Sequence, residues 1–484
     1  MTSHARKIST DTAWLFIGKV VGLGLTLVRI KYIALYLGVK LFGIYSFAAY
    51  FIAMFAILFD LGLPQIVTRE IAIDVSRTQK LLLNTFIVKF LLIVVTSILV
   101  LALTVISNFD SLTNWAIAFT LLSTASLSMT TTFYSAFQAH HKMKLVSALM
   151  LFNDIGTSVA IIVLIIQGYG LFAILWGTLL ITIVNFFITW IVARKILGYF
   201  WSGRPDKNLW RYLFKESYPI ALSSVGVTMY LYLSSSLLKY LKGDELMGYY
   251  GAALKLITIM SLIPSAFTQV MYPIFSELFA AGNAKLRSML EISVRYLLIV
   301  SVPLSIGAIL IADKLIVTVY SESFRPSIVT FQILMISNLL SYPNWLLYSF
   351  LSSIKKQRFQ MYATLITGIA IVLINYFFIP LYGLYVPSIS LAVVEMILFI
   401  SALVYLNKIG YHLATPTLLL KPIAAGLVMA AAVFVASILP MSVQILIGGI
   451  TFIAAFLFMG GLRPEDKKIF QSIFPHLTKE KNGN

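Results

Sequence analysis

The chain has 484 residues, 60% of them hydrophobic and 11% charged, less than half the ~25% charged share of an ordinary soluble protein. With a mean hydropathy of +0.93, it carries more apolar surface than a water-soluble core can hide, so lipid is the solvent for most of it and the fold expected is that of a polytopic membrane protein. The net charge of +18 would suggest nucleic acid if it formed one patch on a soluble domain, but the basic residues are dispersed along the chain, and no nucleic-acid partner is expected. The absence of cysteine excludes disulfides, thiolate metal sites and cysteine nucleophiles.

A short polar lead with Arg6 and Lys7 precedes an apolar run long enough to span a bilayer and without a small-residue cleavage site, which reads as a retained first helix. In chain order, about fourteen runs are long enough to cross ~30 Å of hydrocarbon. They are 11–36, 44–63, 81–106, 115–137, 145–166, 171–192, 218–238, 248–279, 294–311, 328–351, 362–379, 384–406, 422–439 and 443–459. They are continuously apolar rather than alternating, which predicts helices and not barrel strands. With the N-terminus inside, roughly 25 of the 36 Lys and Arg residues fall on the cytoplasmic side. Arg69, Arg77 and Lys80 form one inside cluster; His140, His141, Lys142 and Lys144 another; Lys355, Lys356 and Arg358 a third. Residues 107–114, on the outside, carry no basic side chain. Both termini are therefore expected on the cytoplasmic side.

The basic segment 194–217 divides the chain into two similar halves. Gly43-Ile44-Tyr45-Ser46-Phe47-Ala48 opens span 2, and Gly248-Tyr249-Tyr250-Gly251-Ala252-Ala253 opens span 8. Tyr134-Ser135 returns as Tyr348-Ser349, and Tyr169-Gly170-Leu171 as Tyr382-Gly383-Leu384, all at offsets of about 205 to 214 residues. The expected organisation is an all-α protein with two six-helix lobes, 1–193 and 218–406, in parallel repeat. Two further helices in 407–460 and a cytoplasmic tail, 461–484, complete it. Parallel repeats of this kind place substrate at their interface.

Ionisable groups inside a bilayer are costly and point to function or to buried pairing. Lys19 lies about 12 Å into span 1 and Lys255 about 10 Å into span 8; with Arg29 and Lys31 they are the candidate substrate-binding cations, snorkelling being the alternative. Asp154, about 14 Å along span 5, and Glu395, about 17 Å along span 12, join Asp60 as carboxylates for a coupling ion or for bonding to a neighbouring helix. Span 4 (Ser123, Thr124, Ser126, Ser128, Thr130–Thr132) and span 10 (Gln332, Ser337, Asn338, Ser341, Asn344) are polar enough to line a wet path or to bond between helices. Pro264, Pro273 and Pro343 are candidate gates because each frees a backbone carbonyl. Gly18, Gly22 and the Gly38/Gly43 pair suit close packing and a tight turn. There is no phosphate-binding Gly-x-x-x-x-Gly-Lys-Ser/Thr loop and no His-Glu-x-x-His, so neither an enzyme nor an ATP-driven pump is expected. No metal is expected at His140-His141 either.

Several short motifs carry a family resemblance. They are Leu37-Gly38, Phe42-Gly43-Ile44-Tyr45, Asp60-Leu61-Gly62-Leu63, Arg69-Glu70-Ile71-Ala72 and Tyr249-Tyr250-Gly251-Ala252-Ala253-Leu254-Lys255, with Pro273-Ile274-Phe275-Ser276-Glu277 and Ile379-Pro380-Leu381-Tyr382-Gly383. Across about residues 10 to 460 the chain resembles the Wzx-type flippases of O-antigen and capsule repeats. These belong to the polysaccharide branch of the multidrug/oligosaccharidyl-lipid/polysaccharide flippase superfamily. The resemblance implies a V-shaped pair of lobes around a cationic cavity lined by Lys19, Arg29 and Lys255. It also implies transfer of undecaprenyl-diphosphate-linked oligosaccharide to the outer leaflet, without a cofactor and with H+ or Na+ as the candidate coupling ion. Expected partners are the lipid-linked oligosaccharide, the bilayer, and a polysaccharide polymerase with its chain-length regulator. The rival expectations are a cation-coupled multidrug exporter of the same superfamily and a membrane polysaccharide polymerase.

Overall fold

The computed structural model describes residues 3–198, 204–283, 285–413 and 415–461. All fourteen predicted spans are helical there, and no strand occurs among the described residues. Helix α1 (Ser3–Asp60) contains the first two spans, separated at Gly38, whose φ of 67° and ψ of 177° suit glycine and almost no other residue. Leu61 and Gly62, both at positive φ, then turn the chain into the short α2 (Leu63–Ile73). Helices α3 (Thr78–Ile106), α4 (Ser111–Ala139), α5 (Met143–Ile166) and α6 (Leu171–Leu197) extend the next four spans by a few residues each.

The second half of the basic linker is already helical. Helix α7 (Lys207–Lys242) begins there because the Asp206 carboxylate accepts the backbone N–H groups of Asn208 and Leu209 at 3.0 and 3.1 Å, satisfying two of the donors a helix start leaves open. The start is pinned to α3 by Asn84, whose Oδ1 accepts both the Asp206 N–H and the Trp210 indole N–H at 2.7 Å. The Lys80 ammonium lies 2.7 Å from the Asp206 carboxylate and, with the capping amides, holds it below the ordinary carboxylate range.

Span 8 divides into α8 (Asp244–Met260) and α9 (Leu262–Ala280), breaking at Ser261 just ahead of Pro264. There follow α10 (Lys285–Leu310), α11 (Ala312–Val319), α12 (Ser327–Ser353), α13 (Gln357–Tyr382), α14 (Val386–Lys408), α15 (Thr415–Val435) and α16 (Met441–Phe458). Pro264 has no N–H to offer Met260, and the fully buried Tyr342 of α12 fills that gap, its hydroxyl donating to the Met260 carbonyl at 2.8 Å. Pro273 and Pro343, in contrast, sit inside helices that run on past them. Of the three predicted gate prolines, only Pro264 coincides with a break.

The chain forms two compact units. One comprises Met1–Ile259, Val319–Thr330 and Arg358–Val394; the other comprises Met260–Thr318, Phe331–Gln357 and Glu395–Asn484. Within the first, α1 packs along α5, α7 and α4, and α4 packs on α6. Within the second, α15 and α16 pair and lean on α10, leaving an apolar cavity of 570 Å³ bordered by Val300, Pro303, Gly307, Met429, Gly448 and Phe452. Among the described residues ten segments are long and apolar enough to cross a membrane; Gln357–Lys408 holds two of the predicted spans, and Val21–Ile73 holds the second and most of the first. Their outward faces are bare hydrocarbon, as at Val105 (74% exposed) and Phe458 (94%), which only lipid can solvate without penalty.

The polarity of α4 is mostly absorbed by its own backbone. Thr120, Ser123, Thr124, Thr130 and Ser135 each donate to the carbonyl four residues earlier, while Ser126 reaches the Thr182 carbonyl of α6 at 3.1 Å. The two glycines that open the matched repeat motifs meet each other. A Cβ on Gly43 would fall 2.0 Å from the Asp244 carbonyl oxygen, and one on Gly248 would fall 2.3 Å from that of Val39. Main chain touches main chain there, and no side chain fits. Gly43→Ala and Gly248→Ala are each expected to cost about 1–3 kcal/mol through overpacking, whereas Gly24→Ala, with open space around it, is neutral or better. Thermal unfolding of the detergent-solubilised variants checks this.

Candidate functional site

The candidate site is built on α1, α5 and α8 within the first unit. Gly22 and Arg29 lie seven residues apart on α1, two helical turns, and so share a face. That face meets α5 at Asp154: a Cβ on Gly22 would come within 2.6 Å of Asp154 Oδ2, so the glycine is what leaves room for the carboxylate. Asp154 is half-buried and lies within electrostatic reach of Arg29. Arg29, also half-buried, has its Nε shielded from solvent without a hydrogen-bond partner. Arg29 in turn acts on Lys255 of α8, whose Nζ stands 5.7 Å from the centre of the Tyr50 ring, within cation–π range. Tyr50 is held by stacking on Tyr232 at 5.6 Å and by donating to the Gly251 carbonyl at 3.3 Å. The Tyr320 hydroxyl donates to the next carbonyl, Ala252, at 2.9 Å. Among these three ionisable groups cations outnumber carboxylates, with Asp154 facing Arg29 and Lys255 standing over the Tyr50 ring, an excess of positive charge suited to an anion.

The other predicted residues are placed differently. Lys31 is half-buried on α1. Lys19 belongs to α1, but its side chain lies outside the described residues. Asp60 does not join the Arg29 group: it ends α1 2.6 Å from the ammonium of Lys89. Glu395 belongs to the second unit, where it is 3% exposed. It accepts from Asn344 Nδ2 at 2.6 Å, and the same amide also donates to the Glu395 carbonyl at 2.8 Å. That is the bonding of one helix to its neighbour, α12 to α14.

Two buried lysines were missed. Lys89 of α3 has a fully buried side chain, and the rule that singled out Lys19 would have found it, since it interrupts the apolar run Phe86-Ile87-Val88-Lys89-Phe90-Leu91. Lys239, at the end of α7, is 6% exposed and held by Asp244, by Asp110 at 3.7 Å and by Thr113 Oγ1 at 3.0 Å, over the ring of Phe47. Its place near a predicted span end made it look like an ordinary loop lysine. On the surface, Arg69 bridges Glu70 and Glu216 at 2.9 and 2.8 Å and meets the Tyr212 hydroxyl at 3.2 Å, tying α2 to α7. At 47% exposure such bridges add little stability.

This arrangement is that of a polytopic helical membrane protein, and its fold is shared with solved structures. The lipid II flippase MurJ in its inward closed conformation is similar over 96% of this chain and 99% of its own, at 14% identity and a TM-score of 0.76. An inward-facing multidrug resistance MATE family transporter of the MOP superfamily matches over 79% of this chain and 93% of its own, at 14% identity and a TM-score of 0.66. A MOP superfamily transporter from Pyrococcus furiosus, described as having a binding pocket of reverse polarity, matches over 82% and 95%, at 14% identity and a TM-score of 0.62. Identities this low establish the fold. Comparison with the curated proteins finds no match. Residues 8–279 match the profile of the polysaccharide biosynthesis protein family, and the chain belongs to that family.

Glu395 supplies a direct test of the local reading. Asn344→Leu strips a buried carboxyl of its donor and is expected to cost about 2–4 kcal/mol, whereas Glu395→Gln, which keeps an acceptor for the amide, costs about 1 kcal/mol or less. Denaturation of the two variants side by side measures the difference.

Proposed function

We propose that this protein flips undecaprenyl-diphosphate-linked oligosaccharide repeat units from the cytoplasmic to the outer leaflet of a bacterial inner membrane by alternating access, supplying O-antigen or capsule synthesis. The observation that carries the proposal is the half-buried Arg29, whose shielded Nε has no hydrogen-bond partner, together with the Lys255 ammonium over the Tyr50 ring, in a chain of the polysaccharide biosynthesis protein family. A lipid diphosphate cannot cross hydrocarbon unaided, and cations in a hydrated recess offset the desolvation of its headgroup. Lys19 and Lys31, on the same helix as Arg29, are assigned to the same task. MurJ is a lipid II flippase, and the shared fold supports the same kind of work here.

On this reading the chain acts as a carrier rather than an enzyme, both termini are cytoplasmic, and the repeats 1–193 and 218–406 rock against each other. A polymerase and chain-length regulator act downstream on the flipped unit. With the inside negative, outward movement of an anionic headgroup gains about 2.3 kcal/mol per charge per 100 mV.

The test is flipping of a lipid-diphosphate oligosaccharide in proteoliposomes. Arg29→Ala and Lys255→Ala are expected to slow it about ten- to a hundredfold each, the worth of one charge-assisted contact, with Lys255→Arg retaining most of the rate. A folded Arg29→Ala/Lys255→Ala variant that flips like wild type rules the reading out. Efflux of cationic drugs without flipping would establish the exporter instead.

A further inference from the structure

The polar cluster where α1 ends has no role in the site above. Lys89 enters it from α3 with its side chain fully buried. Its ammonium lies 2.6 Å from Asp60 Oδ1, donates to Thr131 Oγ1 at 3.0 Å and donates to the Ser128 carbonyl oxygen. An ammonium has three N–H donors and no acceptor, so all three are committed. The surrounding oxygens are tied together as well: Ser128 Oγ donates to the same Asp60 oxygen at 2.5 Å, and Thr131 Oγ1 donates to the Ser128 carbonyl at 2.7 Å. Asp60 is the last residue of α1, where the partial negative charge of the helix end also favours a cation.

A carboxylate, a main-chain carbonyl and a hydroxyl converging on one buried point are the hard oxygen donors that bind an alkali or alkaline-earth ion. Here a tethered ammonium stands at that point. We propose that Lys89 is the resident cation of an ion site: it fills the place a free Na+ would take at Asp60, withdraws Asp60 from ion coupling, and leaves a Na+-binding site when its side chain is removed. The protein would thus carry its own counter-ion in this cluster and need none from solution there. The inference concerns ion binding and stands apart from what the protein transports.

The test uses the full chain in lipid nanodiscs and compares thermal unfolding in NaCl with choline chloride at equal ionic strength. Wild type is expected to unfold at the same temperature in both, within about 1 °C. Lys89→Ala should gain about 3 °C or more in NaCl, saturably, by selective ligand binding to the folded state, and Lys89→Ala/Asp60→Asn should lose that gain. A Lys89→Ala protein indifferent to Na+, or a wild-type Na+ response abolished by Asp60→Asn, overturns the proposal. If Lys89→Ala does not fold, a second pair of variants decides. Asp60→Asn leaves the ammonium without its carboxylate and should unfold about 5 °C or more below wild type, and Asp60→Asn/Lys89→Met should recover most of that loss. An Asp60→Asn protein as stable as wild type, or a double variant no better than Asp60→Asn, overturns the assignment. These readouts require no transport, so a chain that flips nothing refutes the proposed function and leaves this inference intact.

Discussion

Everything in this molecule depends on how it neutralises charge where water is scarce. An isolated ammonium or carboxylate taken into hydrocarbon costs several kcal/mol even after relaxation, so each buried ionisable group needs a local answer. Lys89 has one in Asp60, Ser128 and Thr131, and Lys239 has one in Asp110, Asp244 and Thr113. Glu395 is answered by the Asn344 amide. Arg29 is answered less fully: its shielded Nε has no hydrogen-bond partner, and Asp154 is its nearby carboxylate. The same rule that makes the first three groups structural marks the last as unfinished.

Backbone groups obey a parallel constraint. In lipid every N–H and carbonyl must find a partner within the protein, and the breaks in the helices show how this is met. At Pro264 the freed Met260 carbonyl is taken by the Tyr342 hydroxyl, so the break between α8 and α9 is stabilised from a neighbouring helix rather than left to water. At Gly43 and Gly248 the missing side chains let two main chains touch, a packing mode favoured in membranes because small residues allow dispersion contacts between backbones. These are the opening glycines of the two motifs matched in sequence, and each supplies half of one contact.

How much of this could be read from sequence follows from which forces are local. Span positions were legible because hydrocarbon thickness and a 1.5 Å rise translate directly into run length, and the turn at Gly38 because only glycine tolerates its φ. The meeting of Gly22 with Asp154 was not, since it depends on which face of α5 turns toward α1, and helices apolar all round carry no marker of their inward face. Asp60 was noticed, but its role is decided by Lys89, 29 residues on and on another helix. Likewise the hydroxyls of α4 looked like a wet path because composition does not reveal that Thr124 or Ser135 bonds its own backbone. Pro273 and Pro343 looked like breaks, but proline removes a single bond, and packing of the surrounding turns holds each helix together.

The contrast between the two kinds of cation also decides where a charged cargo can bind. At an effective dielectric constant near 20, two unit charges 4 Å apart interact by about 4 kcal/mol. An anion approaching Lys89 would have to displace Asp60 and two further oxygens before gaining that attraction, and the exchange returns nothing. At Arg29, whose buried Nε has no hydrogen-bond partner, an anion would add a contact rather than displace one. The Tyr50 ring, itself stacked on Tyr232, stands 5.7 Å from the Lys255 ammonium, a contact that favours the cation without withdrawing any of its N–H donors.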